Sequence, residues 1–226
     1  MAKGANLRNK WPNVAIIEVD PQKGFSELCP NELAVDGALE IVDSLNEQAE
    51  ELGVARIVTR DFHPADALWM TNDRAMIGKP IPNLPSGSNM DLYWPPHCVA
   101  GTLGCELLPG LPPIETYDYV VSKGAEPDMH PYGAAYLDLE ETISSGLIEY
   151  LWLGGIEIPV LGGLVIEHCI PATALQLNRA GFRVVVNLSA CRGISRVTSE
   201  TAIAKMKDAG IRIAKDIKDV KRHLRS

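Results

Sequence analysis

The chain has 226 residues, a formal net charge of −8, and 46% hydrophobic against 22% charged residues. That length and balance fit one globular domain with a substantial core. Nucleic-acid and anionic-membrane partners need basic patches, so the acidic balance argues against both.

The five cysteines are scattered and odd in number, and no CxxC pair occurs. That usage is typical of free thiols in a reducing compartment. No apolar run approaches the length of a membrane span, and the first residues, MAKGANLRNKW, hold no apolar signal core. We therefore expect a cytoplasmic protein with a single domain over residues 1–226.

Predicted strands and helices alternate along the chain. In chain order they are a strand at 14–19, a helix at 36–52, a strand at 54–59, a strand at 117–122, a helix at 137–149, a strand at 156–163, a helix at 170–180, a strand at 183–188, a helix at 197–209 and a short strand at 211–214. This alternation predicts an α/β fold of three layers, α/β/α, with a central, mostly parallel six-stranded sheet.

Two segments fall outside this pattern. Residues 62–116 are rich in Pro and Gly and are predicted to form a loop-rich insertion with one short helix near 103–107. An irregular segment of that length in a compact domain usually serves function. Residues 201–226 hold eight Lys or Arg against three Asp or Glu, which indicates the solvated face of a terminal helix.

Four chemically capable side chains follow predicted strands within a few residues: Asp20, Asp61, Lys123 and Cys169. In an open parallel sheet, sites form in the crevice at the carboxyl ends of the strands. Each residue alone is more simply a turn or cap residue. Four of them at one edge of the sheet predict a site.

Cys169 stands where a strand turns into a helix, and a helix N-terminus favours a thiolate. A carboxylate such as Asp20 can take the thiol proton, and an ammonium such as Lys123 can stabilise the thiolate. Such a set suits attack on an amide carbonyl to form a thioester that water then hydrolyses. The simpler alternative is a small buried cysteine without chemistry.

A second set combines Asp61 and His63 of TRDFHP with His97 of WPPHC. Residues two apart on an extended segment point to one side. Two imidazoles and a carboxylate suit Zn²⁺, Fe²⁺ or Mn²⁺ with open positions for water or a ligand. The remaining histidines, His130, His168 and His223, show no comparable spacing, and His168 is at best an outer residue of the site.

The chain resembles the nicotinamidase (pyrazinamidase) branch of the isochorismatase-like cysteine hydrolases, from about Val14 to Ser195. The matching segments, in order, are IIEVDPQKGF, TRDFHP, WPPHCVAGTLGCEL, SKG and GGLVIEHCIPATALQLNRAGFRVVV. Each segment alone is only weakly specific for the family, whereas the order and spacing of all five are highly specific. The resemblance implies the isochorismatase-like hydrolase fold.

The resemblance also implies roles for these residues. Asp20, Lys123 and Cys169 match the family's catalytic triad, with Cys169 as nucleophile and Asp20 as proton shuttle. The metal ligands match Asp61, His63 and His97. The metal, Zn²⁺ first and Fe²⁺ or Mn²⁺ as alternatives, is expected to hold the pyridine nitrogen of the substrate.

Further matches concern the substrate. Phe25 and Trp94 match positions that pack against its aromatic ring, and Tyr132 falls near a third. A cis peptide before the nucleophile turn would join Leu164 and Val165. The backbone N–H groups of Val165 and Cys169 would then form the oxyanion hole.

Three positions depart from the family pattern. Ala67 stands where many relatives carry a further histidine, and Asp66 beside it is a candidate replacement. Gly133 replaces the serine of a tyrosine-serine step, and Pro171 lies in the first turn of the nucleophile helix, where proline is tolerated.

The expected activity is hydrolysis of nicotinamide to nicotinate and ammonia in NAD salvage, with pyrazinamide as a second substrate. The alternatives are another amide or ester hydrolase of the same superfamily and a non-catalytic module that binds nicotinate. A dinucleotide-dependent oxidoreductase is disfavoured because DPQKGF, rather than a glycine-rich turn, follows the first strand. The sequence is compatible with a homo-oligomer.

Overall fold

The computed structural model describes residues 10–225 and has a central six-stranded sheet in the order β3-β2-β1-β4-β5-β6. All strand pairs of this sheet are parallel. The strands are β1 Val14–Val19, β2 Ala55–Asp61, β3 Tyr119–Lys123, β4 Ile158–Leu164, β5 Val185–Arg192 and β6 Arg212–Ala214. The helices are α1 Ile41–Leu52, α2 Leu147–Leu153, α3 Cys169–Arg179, α4 Arg196–Asp208 and α5 Ile217–His223. The predicted α/β class and parallel sheet are confirmed.

Helices cover both faces of the sheet and complete the three layers. Alternate residues of β1 point to opposite faces, because strand side chains have a period of two. Ile17 packs in one core with residues of α2, α3 and α4. Ile16 packs on the other face with residues of α1 and α5. Covered on both faces, the central strands β1 and β4 are buried along their whole length, which explains their continuous apolar runs.

Glu18 is the one charged residue of β1, and it is fully buried. Its carboxylate accepts a hydrogen bond from Arg56 Nε at 2.5 Å and another from the Tyr117 hydroxyl at 2.6 Å. Both carboxylate oxygens therefore have partners, as a buried charge requires. This pairing ties β1 to β2 and to the chain that enters β3.

The helix predicted at 137–149 is wrong over most of its length, because α2 begins only at Leu147. The Asp138 carboxylate accepts hydrogen bonds from the backbone N–H groups of Thr142 and Ile143. A side chain that bonds the local backbone competes with helix formation, and here it folds the segment into a turn.

The insertion at 62–116 contains no long helix or strand. It holds two 3₁₀ turns, at Leu103–Cys105 and Ile114–Thr116, and the first corresponds to the short helix predicted near 103–107. Isolated bridges such as Met70 to Trp94 fix its path. The insertion brings buried Trp69 and Trp94 over the carboxyl edge of the sheet.

The close packing of β1 against β4 requires glycine at position 163. Gly163 pairs with Val19 and has a φ of +130°. A Cβ atom built there would lie 2.0 Å from the Val19 carbonyl oxygen. Only glycine tolerates both this positive φ and this close approach to the Val19 backbone. It therefore lets β4 pack against β1, and the chain that follows β4 leads to Cys169. Between Lys10 and Arg225, no helix is both long and apolar enough to cross a membrane.

We predict that Leu161→Ala in β4 lowers the free energy of unfolding by about 2–5 kcal/mol, because it empties a fully buried site. Leu153→Ala at the end of α2 is the matched control, since that side chain is 90% exposed. It should change stability by less than about 0.5 kcal/mol. Urea unfolding of both variants checks this, and equal costs would contradict the assigned core.

Candidate active site

A cavity opens at the carboxyl edge of the sheet, where β1, β2, β3 and β4 end. Its lining residues are Phe25, Leu33, Val35, Asp61, Trp94, His97, Lys123, His130, Pro131, Tyr132, Val165, His168, Cys169 and Ile194. Two further residues of the predicted site, Asp20 and His63, are fully buried and contact the lining residues Lys123 and Asp61. The structure therefore brings all ten predicted site residues together.

Parallel pairing explains why the charged residues meet. Asp61 and Lys123 are paired at the ends of β2 and β3, and their side chains form an ion pair. Asp20 follows β1 directly, and its Oδ2 atom lies 3.1 Å from Lys123 Nζ. The buried Lys123 ammonium thus lies between two buried carboxylates.

Cys169 is the first residue of α3, and it is 6% exposed. Its Sγ atom lies 3.8 Å from Lys123 Nζ. The Sγ atom and carboxylate oxygens of Asp20 and Asp61 lie within 4.8 Å of one another. The thiol, a potential base and a cation therefore converge at the floor of the cavity.

Thr59 fixes the orientation of the Asp20 carboxylate. The Thr59 hydroxyl donates a hydrogen bond to Asp20 Oδ1 at 2.6 Å, and the Asp20 backbone N–H donates to the same hydroxyl oxygen at 3.1 Å. Asp20 Oδ2 accepts no well-aligned hydrogen bond, even though Lys123 Nζ is close. A buried carboxylate oxygen without a donor is available to take a proton.

Burial dominates the electrostatics of this group. It raises the pKa of the Cys169 thiol well above its usual value; the Lys123 ammonium opposes this shift, and the Asp20 carboxylate adds to it. Burial also raises the pKa of Asp20, again against the effect of Lys123. Although burial alone would lower the pKa of Lys123, the Asp20 and Asp61 carboxylates hold it well above its ordinary range.

These shifts correct one expectation from the sequence. The helix N-terminus was expected to favour a Cys169 thiolate, yet the buried surroundings favour the neutral thiol. Desolvation of the charge outweighs the helix end. The thiol therefore needs a base at the moment of reaction, and the raised pKa of Asp20 makes that carboxylate a stronger base than an exposed one.

Two backbone N–H groups flank the thiol. The peptide between Leu164 and Val165 is cis, as the resemblance implied. Neither the Val165 N–H nor the Cys169 N–H donates a hydrogen bond to any residue within 10–225. Free N–H groups beside a nucleophile can stabilise an oxyanion.

His63 and His97 lie on the other side of Asp61. The Nε2 atoms of the two rings lie 3.6 and 3.9 Å from the Asp61 carboxylate, respectively. The Nδ1 atom of His63 bonds the Gly124 carbonyl and that of His97 the Pro95 carbonyl. A carbonyl only accepts, so Nδ1 of each ring carries a proton, and Nε2 has a free lone pair when the ring is neutral.

This donor set fits a metal ion. The Nε2 atom of His63 is buried and has no hydrogen-bond partner, which is costly unless a ligand binds it. Burial and the neighbouring His63 lower the pKa of His97 to about 3, so this imidazole is neutral at pH 7. Although burial alone would raise the pKa of Asp61, Lys123 and His63 hold it well below its ordinary value.

His130 is a residue that sequence spacing missed. One ring nitrogen each of His63, His97 and His130 lie within 4.8 Å of one another, and all three residues are buried. His130 reaches this position from the loop after β3. The only available signal in the sequence was a histidine seven residues after Lys123, and loop residues have no period that reveals their direction.

Gln22, part of the matching segment IIEVDPQKGF, had no role assigned from the sequence. Its Nε2 atom donates to the Asp61 carbonyl at 2.8 Å, and its Oε1 atom accepts from the Asp61 N–H at 2.7 Å. This buried side chain thereby holds the end of β2 beside the end of β1. Its place in the motif DPQKGF was the available signal.

An aromatic wall faces the thiol. Trp94 Nε1 donates to the Tyr132 hydroxyl at 3.1 Å, and that hydroxyl donates to Asp91 at 2.9 Å. His168 stacks on Tyr132 with 5.6 Å between ring centroids. His168 therefore lines the cavity, whereas the sequence predicted at most an outer position for it.

Two of the three departures from the family pattern, at Ala67 and Gly133, have structural explanations. Ala67 is buried in an apolar cluster with Trp69 and Trp94, whereas Asp66 is exposed and so does not replace the missing histidine. A Cβ atom at Gly133 would lie 2.2 Å from the Gln176 side chain, so glutamine fills the space of the absent serine side chain.

Taken together, a buried Asp–Lys–Cys group, free backbone N–H groups and a parallel α/β fold define a hydrolase-type site for a small ligand with an aromatic ring. A comparison with family models agrees with this class, since the isochorismatase domain model matches residues 14–216. The chain belongs to the isochorismatase family.

Within this family, the chain is similar to nicotinamidases and pyrazinamidases. A nicotinamidase/pyrazinamidase of Mycobacterium tuberculosis is 32% identical over 209 residues, covering 88% of this chain and 97% of the relative. A Pyrococcus horikoshii pyrazinamidase, solved in complex with zinc, has a TM-score of 0.69 at 30% identity and covers 90% of this chain and 99% of its own. An L. infantum protein, solved in complex with nicotinate, has a TM-score of 0.75 at 25% identity, with coverages of 90% and 93%.

We predict that Lys123→Met lowers the free energy of unfolding by about 3–5 kcal/mol, because two buried carboxylates lose their shared cation. Lys221→Met is the matched control, since it breaks a partly exposed pair with Glu51. It should cost at most about 1 kcal/mol. Urea unfolding at pH 7 with a chelator present measures both, and a small loss for Lys123→Met would contradict the charge arrangement.

Proposed function

We propose that this protein is an amidohydrolase that converts nicotinamide to nicotinate and ammonia, and that it also hydrolyses pyrazinamide. The observation that carries the proposal is the contact of Asp20, Lys123 and Cys169 at the floor of an aromatic cavity. The similarity to nicotinamidases over most of the chain supports the choice of substrate. Nicotinate is a precursor of NAD, so the reaction serves NAD salvage.

The first step is attack of Cys169 on the amide carbon. Asp20 Oδ2, which has no aligned hydrogen bond, takes the thiol proton as Sγ forms the C–S bond. The Lys123 ammonium, 3.8 Å from Sγ, stabilises the negative charge that develops on sulfur. The N–H groups of Val165 and Cys169 stabilise the oxyanion.

The second step breaks the C–N bond. Asp20 gives its proton to the leaving nitrogen, so that ammonia departs and a nicotinoyl thioester remains on Cys169. Asp20 then takes a proton from water as the water oxygen attacks the thioester carbon. The C–S bond breaks, the Asp20 proton returns to sulfur, and the nicotinic acid that leaves loses its carboxyl proton to solvent as nicotinate.

The chain's residues also position the ring. Phe25, Trp94 and Tyr132 line the cavity and offer apolar faces to a single aromatic ring. Asp61, His63 and His97 would hold one divalent transition-metal ion, with Zn²⁺ the first choice from imidazole and carboxylate donors. When bound, the metal would hold the pyridine nitrogen and so orient the amide toward Cys169.

We expect Cys169→Ala to abolish ammonia release from nicotinamide, because Cys169 is the only thiol among the described residues that line the cavity. Cys29→Ala removes another buried thiol outside the cavity lining and should keep the activity of the parent protein. A coupled ammonia assay on both variants tests this. Retained turnover by Cys169→Ala would refute the mechanism.

Removal of the metal should also lower activity. Dialysis against a chelator is expected to reduce kcat/KM for nicotinamide, and Zn²⁺, Fe²⁺ or Mn²⁺ added separately should restore it to different degrees. Benzamide, which lacks the ring nitrogen, should be a poor substrate with or without metal. Equal turnover of benzamide and nicotinamide would contradict the proposed role of the metal.

A further inference from the structure

His130 lies outside the Asp61, His63 and His97 set that the family resemblance implies. It nevertheless belongs spatially to that set, because its ring centroid lies 5.5 Å from that of His63 and 6.0 Å from that of His97. Only 4% of His130 is exposed, and its Nδ1 atom is buried without a hydrogen-bond partner. A buried imidazole nitrogen of this kind calls for a ligand.

The neighbours of His130 hold its ring in place. Trp69 packs against the imidazole in a tilted arrangement, with 4.0 Å between centroids and an interplanar angle of 33°. The His130 backbone N–H donates to the Asn89 carbonyl at 2.7 Å, and Trp69 Nε1 donates to the Met129 carbonyl at 3.1 Å. The fully buried Trp69 also packs edge-on against His63, so one side chain supports two imidazoles.

Two buried ring nitrogens, His63 Nε2 and His130 Nδ1, have no hydrogen-bond partner among residues 10–225. The Nδ1 atoms of His63 and His97 bond carbonyls, which leaves Nε2 of each ring for a ligand. One ring nitrogen of His130 lies within 4.8 Å of one ring nitrogen of each of the other two. When the rings are neutral, three imidazole nitrogens this close together can share one cation. A divalent cation with a preference for imidazole is the ligand of matching chemistry.

We infer that His130 is a metal ligand, so that three imidazoles, with the adjoining Asp61 carboxylate, hold the ion in this chain. The inference deepens the proposed function and rests on it, since it concerns the same metal. It also explains how the site tolerates Ala67 where relatives carry a further histidine. A three-imidazole set favours Zn²⁺ over Mn²⁺.

The test compares His130→Phe with His168→Phe. Each variant exchanges an imidazole for a phenyl ring in the same cavity, and His130→Phe keeps a ring against Trp69. Zn²⁺ affinity is measured by competition with a chromogenic chelator, and the visible absorption of bound Co²⁺ reports the ligand field. We expect His130→Phe to weaken Zn²⁺ binding by more than about tenfold and to change the Co²⁺ spectrum. His168→Phe should leave both unchanged.

Unchanged Zn²⁺ affinity and an unchanged Co²⁺ spectrum in His130→Phe would overturn the inference. If that variant does not fold, X-ray absorption of the Zn²⁺-loaded parent protein counts the imidazoles directly. Three support the inference and two overturn it. Ammonia release by the parent protein separates the two proposals, because a three-imidazole site without turnover of nicotinamide would refute only the proposed function.

Discussion

The structure depends on one buried cation, the ammonium of Lys123, which lies between the carboxylates of Asp20 and Asp61. The three side chains come from the ends of adjacent parallel strands, so the sheet itself sets their spacing. Two carboxylates this close and this buried would not both remain ionised without the shared cation. Lys123 therefore both stabilises the buried strand ends and sets the charge of the site.

This arrangement also divides the cavity into two functional sides. Asp20 faces the thiol of Cys169, while Asp61 faces the imidazoles of His63 and His97. Removing charge from one side changes the electrostatics of the other, because both carboxylates share Lys123. The neutral, buried thiol follows from the same environment, because burial raises its pKa. In the proposed mechanism Asp20 then takes the thiol proton.

Sequence alone could predict the sheet and the residues at its edge, because buried parallel strands are continuous apolar runs and their carboxyl ends share one edge. It could not predict His130, which arrives on a loop whose path is set by Asn89 and Trp69. It also misread 137–146 as helix, since Asp138 bonds the local backbone there. Contacts made in the folded chain set the position of His130 and the turn at 137–146, and the local sequence pattern does not reveal those contacts.

The central claim is that Cys169 carries the acyl group during turnover. Acid-quenched reaction of the protein with nicotinamide, followed by peptide mass spectrometry, tests it most directly. The account predicts one nicotinoyl group on the peptide that contains Cys169, and free hydroxylamine should divert part of the product to the hydroxamate. Nicotinate formation with no adduct on Cys169 and no hydroxamate at any hydroxylamine concentration would contradict it.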